Sequence, residues 1–410
     1  MDLGDAQSIG ARARLIRHRR GLNLETVAGL AGITTSYLSL LERGLRGFNR
    51  RGLVDALADA LGCSVADLTG QPYPLVDRRS VEVAAAVAEI STALHDTTLD
   101  DVPDLPTRPL RQLTDAATLA LECADDAHYS LAGRGLAELL IELHIHAVTG
   151  GAQERQAALT ALVEACKAAW ILAKRTGHNE LAGIIAQRGL DAAQRAERPD
   201  LVALTRMNQA NALMGIGAYR RAHLLCAEAL HDISELPGPT QNDPLNAEAR
   251  GMLHLQTALI AARDNRTADG DTHLAEARSL AAHTGERNHL RYHFGPTNVV
   301  AWELSLAVEA GNGPVVAERL VGAPIDLSVF ASKGRPADVH FDLARAWMQA
   351  EGSRDGEAIR ALDTADRLAP VRIRHDPIAR ELVRTLDDRA PRRVWELDSL
   401  LHRIGTGEPL

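Results

Sequence analysis

Residues 22–44 read Leu-Asn-Leu-Glu-Thr-Val-Ala-Gly-Leu-Ala-Gly-Ile-Thr-Thr-Ser-Tyr-Leu-Ser-Leu-Leu-Glu-Arg-Gly. The stretch reads as two short helices joined by a tight turn. Val27, Ala28 and Ala31 are spaced to bury one face of the first helix, and Gly32 offers a turn residue that tolerates positive φ. Thr34 is placed to cap the second helix, whose inner face carries Leu38 and Leu41. The outward face is left with Thr35, Ser36, Tyr37 and Ser39. Small hydroxyl side chains with one aromatic at a helix N-terminus suit the base edges of a major groove. The rest of the chain reads as the apparatus that controls these two helices.

Working outward, a helix is expected over residues 5–20, with Ile9, Ala13 and Ile16 on one face and Gly21 as its stop. A fourth helix is expected over 50–61, ended by Gly62, and a short fifth over 64–68. Five helices make residues 1–70 a compact all-α unit. Gly70-Gln71-Pro72-Tyr73-Pro74 breaks helix and Asp77-Arg78-Arg79 follows, so 71–79 reads as a linker. Residues 80–410 then read as helix almost throughout, except for an acidic loop with three prolines between 97 and 109.

Charge supports the division. The net charge is −9, yet between Arg12 and Arg51 nine arginines face only Glu25 and Glu42. A basic module on an acidic body still presents a local footprint to phosphates. Cys63, Cys123, Cys166 and Cys226 are far apart and lack metal-ligand spacing, as expected of small buried residues in a reducing cytoplasm. No signal-like stretch opens the sequence, and no uncharged run approaches the length of a bilayer span. A cytoplasmic protein with no membrane partner is expected.

Residues 1–70 resemble the helix-turn-helix domain of the XRE (Cro/phage-repressor) family of transcriptional regulators. The matching residues are Ile9-Gly10, Arg14, Arg17, Gly21-Leu22, Val27-Ala28, Ala31-Gly32-Ile33, Leu38-Ser39, Leu41-Glu42 and Gly44, with Ala60-Leu61-Gly62 and Leu68 extending the match. The resemblance implies a five-helix, lambda-repressor-like fold in which Thr35 and Ser36 reach base edges and Arg43 and the following loop grip phosphate. It also implies a buried Arg17–Glu42 ion pair, whose disruption would cost roughly 3–5 kcal/mol. The expected DNA-contacting set is Thr35, Ser36, Tyr37, Ser39, Leu40, Arg43, Arg46, Arg50 and Arg51. Two positions depart from the family. Leu24 stands where a Gln often braces phosphate, and Leu40 is apolar where many relatives are polar.

The body carries a recurring signature: a helix, a turn with Gly, then a small residue opening a second helix. The best copy is Ala210, Leu213, Gly217, Tyr219, Ala222, Cys226, Ala229 and Leu230. Copies anchored near positions 182, 222, 270, 316 and 358 recur roughly every 40 to 48 residues, longer than the ~34 of a tetratricopeptide (TPR) repeat. The body therefore resembles a divergent TPR-like α-solenoid with extended loops, such as Leu236-Pro237-Gly238-Pro239, and the helices of 110–148 would add a sixth pair. Phe294-Gly295-Pro296-Thr297-Asn298 and Asp342-Leu343-Ala344-Arg345-Ala346 resemble stretches of actinobacterial XRE regulators with TPR-like bodies, a resemblance that covers most of residues 150–405. Stacked pairs share a continuous core and curve, leaving a concave face for peptides or small molecules. On that face the register places Lys167, Lys174, Asn208, Asn211, Asn298, His340 and Trp347, with Trp302 one turn from Asn298. Asparagines both donate and accept, as clamping a peptide backbone requires.

Catalytic signatures are missing: no HExxH, P-loop, dinucleotide fingerprint or GxSxG occurs. His289 and His293 are spaced to share a helix face, but no third metal ligand follows. No metal, cofactor or enzymatic activity is expected. The combined expectation is a bacterial, nucleoid-associated regulator that binds double-stranded operator DNA as a homodimer and senses a peptide or small-molecule effector. The competing readings are a DNA-tethered protein-docking scaffold and, behind it, a helical-repeat enzyme.

Overall fold

The structure, a computed structural model, describes residues 8–73, 78–236 and 243–404. Among them every regular element is helical. The first five helices are α1 (Ile9–Arg19), α2 (Leu24–Leu30), α3 (Thr35–Glu42), α4 (Arg51–Leu61) and α5 (Val65–Thr69). Ser8 caps α1, so this helix starts later than the expected residue 5; residues 5–7 lie outside the described part. Thr34 caps α3, its hydroxyl accepting from the Tyr37 amide at 3.2 Å. Gly32 turns the chain at φ 68°. Gly10 lets α1 cross α3 backbone to backbone, since a Cβ there would lie 2.0 Å from the Leu41 carbonyl oxygen. The Arg17 guanidinium meets both Glu42 carboxylate oxygens at 2.7 Å with both side chains buried, which clamps α1 to α3.

The body opens with α6 (Arg78–Asp96), α7 (Leu110–Asp125), the one-turn α8 (Tyr129–Ala132) and α9 (Leu136–Thr149). The expected sixth pair is thus a larger group, with α6 also packed on α9. Five hairpins follow: α10 (Ala152–Arg175) with α11 (Asn179–Arg195), α12 (Pro199–Met214) with α13 (Tyr219–Ser234), α14 (Pro244–Arg263) with α15 (Thr267–Thr284), α16 (Pro296–Ala310) with α17 (Gly313–Gly322), and α18 (Gly334–Met348) with α19 (Asp355–Leu368). Ala182, Ala222, Gly270, Ala317 and Ala358 are buried near the start of each second helix, where a larger side chain would hold the pair apart. The long period has two sources. Helices α10 and α14 run to 24 and 20 residues, and the connections 285–295 and 323–333 are extended. The turn at 237–239 lies outside the described residues. Helix α10 is apolar and long enough to cross a bilayer by length and composition, but 67% of its apolar window is buried among its neighbours.

Three short helices, α20 (Pro370–Arg374), α21 (Pro377–Arg389) and α22 (Trp395–Ile404), end the array. The expected open concave groove is closed. The far end of the array bends back onto its beginning: the Lys333 amide donates to Asp126 at 2.9 Å, and Arg291 pairs with Glu122 at 3.0 Å. Arg175 pairs with Asp338 at 3.2 Å across the same seam.

The five N-terminal helices sit on this ring instead of hanging from a linker. Phe48 is wholly buried in an apolar cluster that also holds Ile378, Leu382 and Leu386 of α21. Burying one such ring stabilises by about 1.5–3 kcal/mol. Gly47 and Gly52 permit the approach, since a Cβ would meet Thr385 at 2.4 Å and the Arg263 carbonyl oxygen at 2.6 Å, respectively. The expected linker is also held where it is described. The Gln71 amide donates to the His375 carbonyl at 2.8 Å, and Arg380 stacks 4.0 Å from the Tyr73 ring centroid. Pro74 and Asp77 lie outside the described residues.

Candidate functional site

Two features meet at the N-terminal unit: the exposed helix α3 and a chamber between α4, α5 and the body. On the outside, Thr35, Ser36 and Arg43 of α3 and its cap are exposed, while Tyr37, Ser39 and Leu40 are half-buried. Hydroxyls at the first turn of an exposed helix are free to meet acceptors and donors at base edges. Leu40 ends the helix as well, its carbonyl accepting from the Leu45 amide at 2.9 Å. Arg46 is held by Glu351 of the body at 2.6 Å. Arg50 lies near Gly311 at the seam between the N-terminal unit and the body. Arg51 does not share the exposed face: it turns down into the chamber and pairs with Asp376.

Below, a cavity of about 260 Å³ lies between α4, α5 and the concave side of the body. A second cavity of about 180 Å³ adjoins it, sharing Trp170, Asn211, Trp302, Arg335 and Asp338 as walls. The contents are ionic. Glu309 accepts from the Arg51 and Gly52 amides at 3.0 and 3.3 Å and from Arg345 at 2.7 Å. Arg345 and Arg263 hold its carboxyl down at about 2 despite burial. Asp55 of α4 accepts from the Tyr219 hydroxyl, and burial pushes its carboxyl up to about 6. Lys174 donates to the Asn211 carbonyl at 3.1 Å. Burial and the neighbouring arginines Arg263, Arg175, Arg51 and Arg372 drive its ammonium well below the ordinary lysine range.

Of the expected concave residues, Lys167, Asn208, Asn211, Asn298 and Trp302 converge on the smaller cavity. Several are already engaged. Lys167 donates to the Arg291 carbonyl at 2.5 Å and lies 3.5 Å from the Tyr292 ring centroid; burial lowers its ammonium to about 8. Asn208 accepts from the Tyr292 hydroxyl at 3.0 Å. Asn298 accepts from Arg335 at 2.7 Å and donates to the Tyr292 carbonyl at 3.1 Å. The Asn211 amide oxygen is left without a hydrogen bond. Two expected residues are elsewhere. Trp347 is buried in the apolar cluster, with Arg354 over its ring, and His340 is half-buried outside both cavities. Helix α18 turns Arg335, Asp338, Asp342 and Arg345 to the chamber, so His340 and Trp347, each two positions beyond one of these, fall on other faces of the helix. His289 and His293 do not share a helix, because 285–295 is an irregular connection; His293 meets the Ser332 hydroxyl at 3.2 Å.

The ionic lining escaped the sequence reading. Arg175, Asp338 and Arg372 come from three distant helices, and no spacing links them. The available signal was the spacing of Arg335, Asp338, Asp342 and Arg345, charged residues three and four apart along one helix.

The outer face and the five-helix core under it are what decide the comparison with known proteins. Residues 8–69 match a family described as a helix-turn-helix domain. The match spans α1 to α5, so the first five helices are a helix-turn-helix domain and α3 is its second, exposed helix. No curated protein matches the chain. Among solved structures, the chain is similar to Bacillus thuringiensis PlcR, crystallised in complex with the peptide PapR7 and DNA. The identity is 11% and the TM-score 0.27, over 73% of this chain and 99% of that one. The helix-turn-helix domain and a body of stacked helical hairpins are the two parts of the molecule.

Proposed function

We propose that the protein is a sequence-specific, DNA-binding transcriptional regulator of the XRE type, whose TPR-like body binds a peptide or small-molecule effector and mediates dimerisation. The observation that carries this reading is the position of α4. One helix belongs both to the core of the helix-turn-helix domain and, through Arg51 and Asp55, to the wall of the chamber. An occupant of the chamber therefore touches the domain that holds α3. A two-fold operator requires two copies of α3 about 34–36 Å apart. Small changes in how α4 sits on the body alter that spacing. The protein acts in the bacterial cytoplasm at the nucleoid and carries out no catalytic reaction.

Genome-wide binding of the full-length protein, with and without culture extract, tests the reading. Discrete sites sharing a palindromic motif, with occupancy that changes on adding extract, are the expected result. Uniform binding, or none, overturns DNA recognition; sharp sites indifferent to every extract overturn effector sensing. Light scattering at working concentration is expected to give a dimer, and a monomer would remove the half-site geometry.

A further inference from the structure

The charges of the chamber do not balance. On one side the carboxylates are engaged: Asp376 with Arg51, Glu309 with Arg345, Asp342 with Arg345, and Asp55 with the Tyr219 hydroxyl. On the other, three guanidinium groups share a single carboxylate, Asp338. Arg175 lies 3.2 Å from it, Arg335 3.9 Å, and Arg372 is in direct contact. Lys174 lies on the same wall, donating to the Asn211 carbonyl and lying 5.5 Å from the Trp170 ring centroid.

The surplus shows in the hydrogen bonds. Arg372 is 7% exposed, yet its Nε and Nη1 atoms have no acceptor. Arg335 Nη2 and the indole Nε1 of Trp170 are likewise buried and unpaired. Buried donors are almost always satisfied, and an uncompensated buried charge costs several kcal/mol. Four orphaned N–H-bearing atoms on three side chains line one space that holds two oxygens without a hydrogen bond, Asp338 Oδ1 and Asn211 Oδ1; the excess of donors points to a missing acceptor.

We propose that the chamber is a binding site for a small organic dianion, whose carboxylate or phosphate oxygens accept from Arg335, Arg372 and Trp170. Guanidinium groups present paired donors that match either oxyanion. At the Asp338 wall three guanidinium groups face one carboxylate, a local surplus that two negative charges would match. Cavities of about 260 and 180 Å³ are each smaller than the about 300–1,000 Å³ of drug-sized sites, which restricts the occupant to a small ligand. Trp170 and Trp302 line both cavities and supply apolar wall for the carbon skeleton of such a ligand. Because α4 and α5 form the remaining wall, the ligand is buried between the body and the helix-turn-helix domain. Its consequence at DNA rests on the regulatory reading above; the binding itself does not.

Full-length protein is titrated at fixed ionic strength with succinate, glycerol 3-phosphate and inorganic phosphate, with chloride as the monoanion control. Melting temperature and heat of binding are followed. At least one dianion is expected to bind and raise the melting temperature where chloride does not; the succinate and phosphate arms decide which oxyanion is preferred. Arg335→Gln and Arg372→Gln are expected to weaken binding at least tenfold. Trp170→Phe, which removes one donor and leaves an aromatic ring, is expected to weaken it severalfold without unfolding the chain. Without anion, Arg335→Gln is expected to melt no lower than the parent, because it removes one of three like charges.

The proposal is overturned if no dianion outcompetes chloride, or if Arg335→Gln and Trp170→Phe bind as tightly as the parent. It is also overturned if only short peptides bind, and bind equally with amidated C-termini. DNA affinity measured in the same samples separates the two claims. Anion binding with unchanged DNA affinity leaves the site standing and removes its regulatory role. DNA binding with no anion binding does the reverse.

Discussion

Glu309 of the body caps helix α4 at Arg51. Its carboxylate accepts from the Arg51 and Gly52 amides, whereas the residue at the N-cap position, Arg50, supplies no side-chain hydrogen bond. The same device recurs at α1, where the Ile9 amide donates to Glu381 at 3.0 Å. Two helices of the DNA-binding domain thus have first-turn donors satisfied by carboxylates from the other end of the chain, where negative charge also suits the helix dipole.

Glu309→Gln is therefore expected to cost about 3–5 kcal/mol, because it leaves Arg345 and Arg263 without their shared partner. Glu309 is held at about 2, below its ordinary value of 4.5. Its contribution is present above pH 4.5 and is lost as pH falls toward 2. Denaturant titrations between pH 2 and 7 are expected to show a shallower acid loss in the variant than in the parent.

Asp55 has the opposite sign. Burial raises it from 3.8 to about 6, so the native state holds its proton longer than the unfolded state. Stability from this group is full below pH 3.8 and is lost as pH rises through about 6. Asp55→Asn is expected to remove that slope and to gain up to roughly 3 kcal/mol at pH 7.5. A steeper loss of stability between pH 4 and 7 in the variant would contradict the assignment.

Gly52→Ala tests the docking itself. In an isolated helix the change favours folding by up to about 1 kcal/mol. Here the new Cβ would meet the Arg263 carbonyl oxygen at 2.6 Å. Hydrogen exchange of the full-length variant is expected to show faster exchange of the α4 amides than in the parent, with the hairpins α10 to α13 unaffected.

At the DNA face, Thr35→Ala with Ser36→Ala is expected to reduce preference for the operator over random duplex. Each lost base contact is worth about 1–3 kcal/mol. Arg43→Ala is expected to weaken binding to all sequences alike and to lower the salt slope by about 1. Fluorescence anisotropy on operator and scrambled duplexes across a salt series distinguishes the two patterns.

What the sequence reveals and what it hides divide along contact distance. The Arg17–Glu42 pair is implied by the resemblance to the XRE family, whereas Gly32 and Thr34 are legible because each acts within a few turns of chain. The hairpin anchors are legible for the same reason: a small residue at the start of a second helix is a local requirement of close packing. The chamber is not local. Asp338 draws its partners from α10, α18 and α20, and Asp55 finds Tyr219 across 164 positions. The fate of Arg51 was hidden likewise. An arginine at the start of a helix beside a recognition helix reads as a phosphate contact until the body supplies Asp376. The Asn positions suit clamps in an open groove, but closure of the ring buries Asn208 and Asn298 and gives them partners within the chain.

The span between Ile9 and Glu381, 372 positions, also has a temporal meaning. At translation rates of about 5–20 residues per second, the first helix leaves the ribosome roughly 20–75 s before its cap is made. During that interval the nascent DNA-binding domain lacks the surface it finally rests on. A chain that terminates before α21 never acquires that surface. Only a polypeptide read through to its last helices presents α3 in its finished setting, so the C-terminal end certifies the N-terminal one.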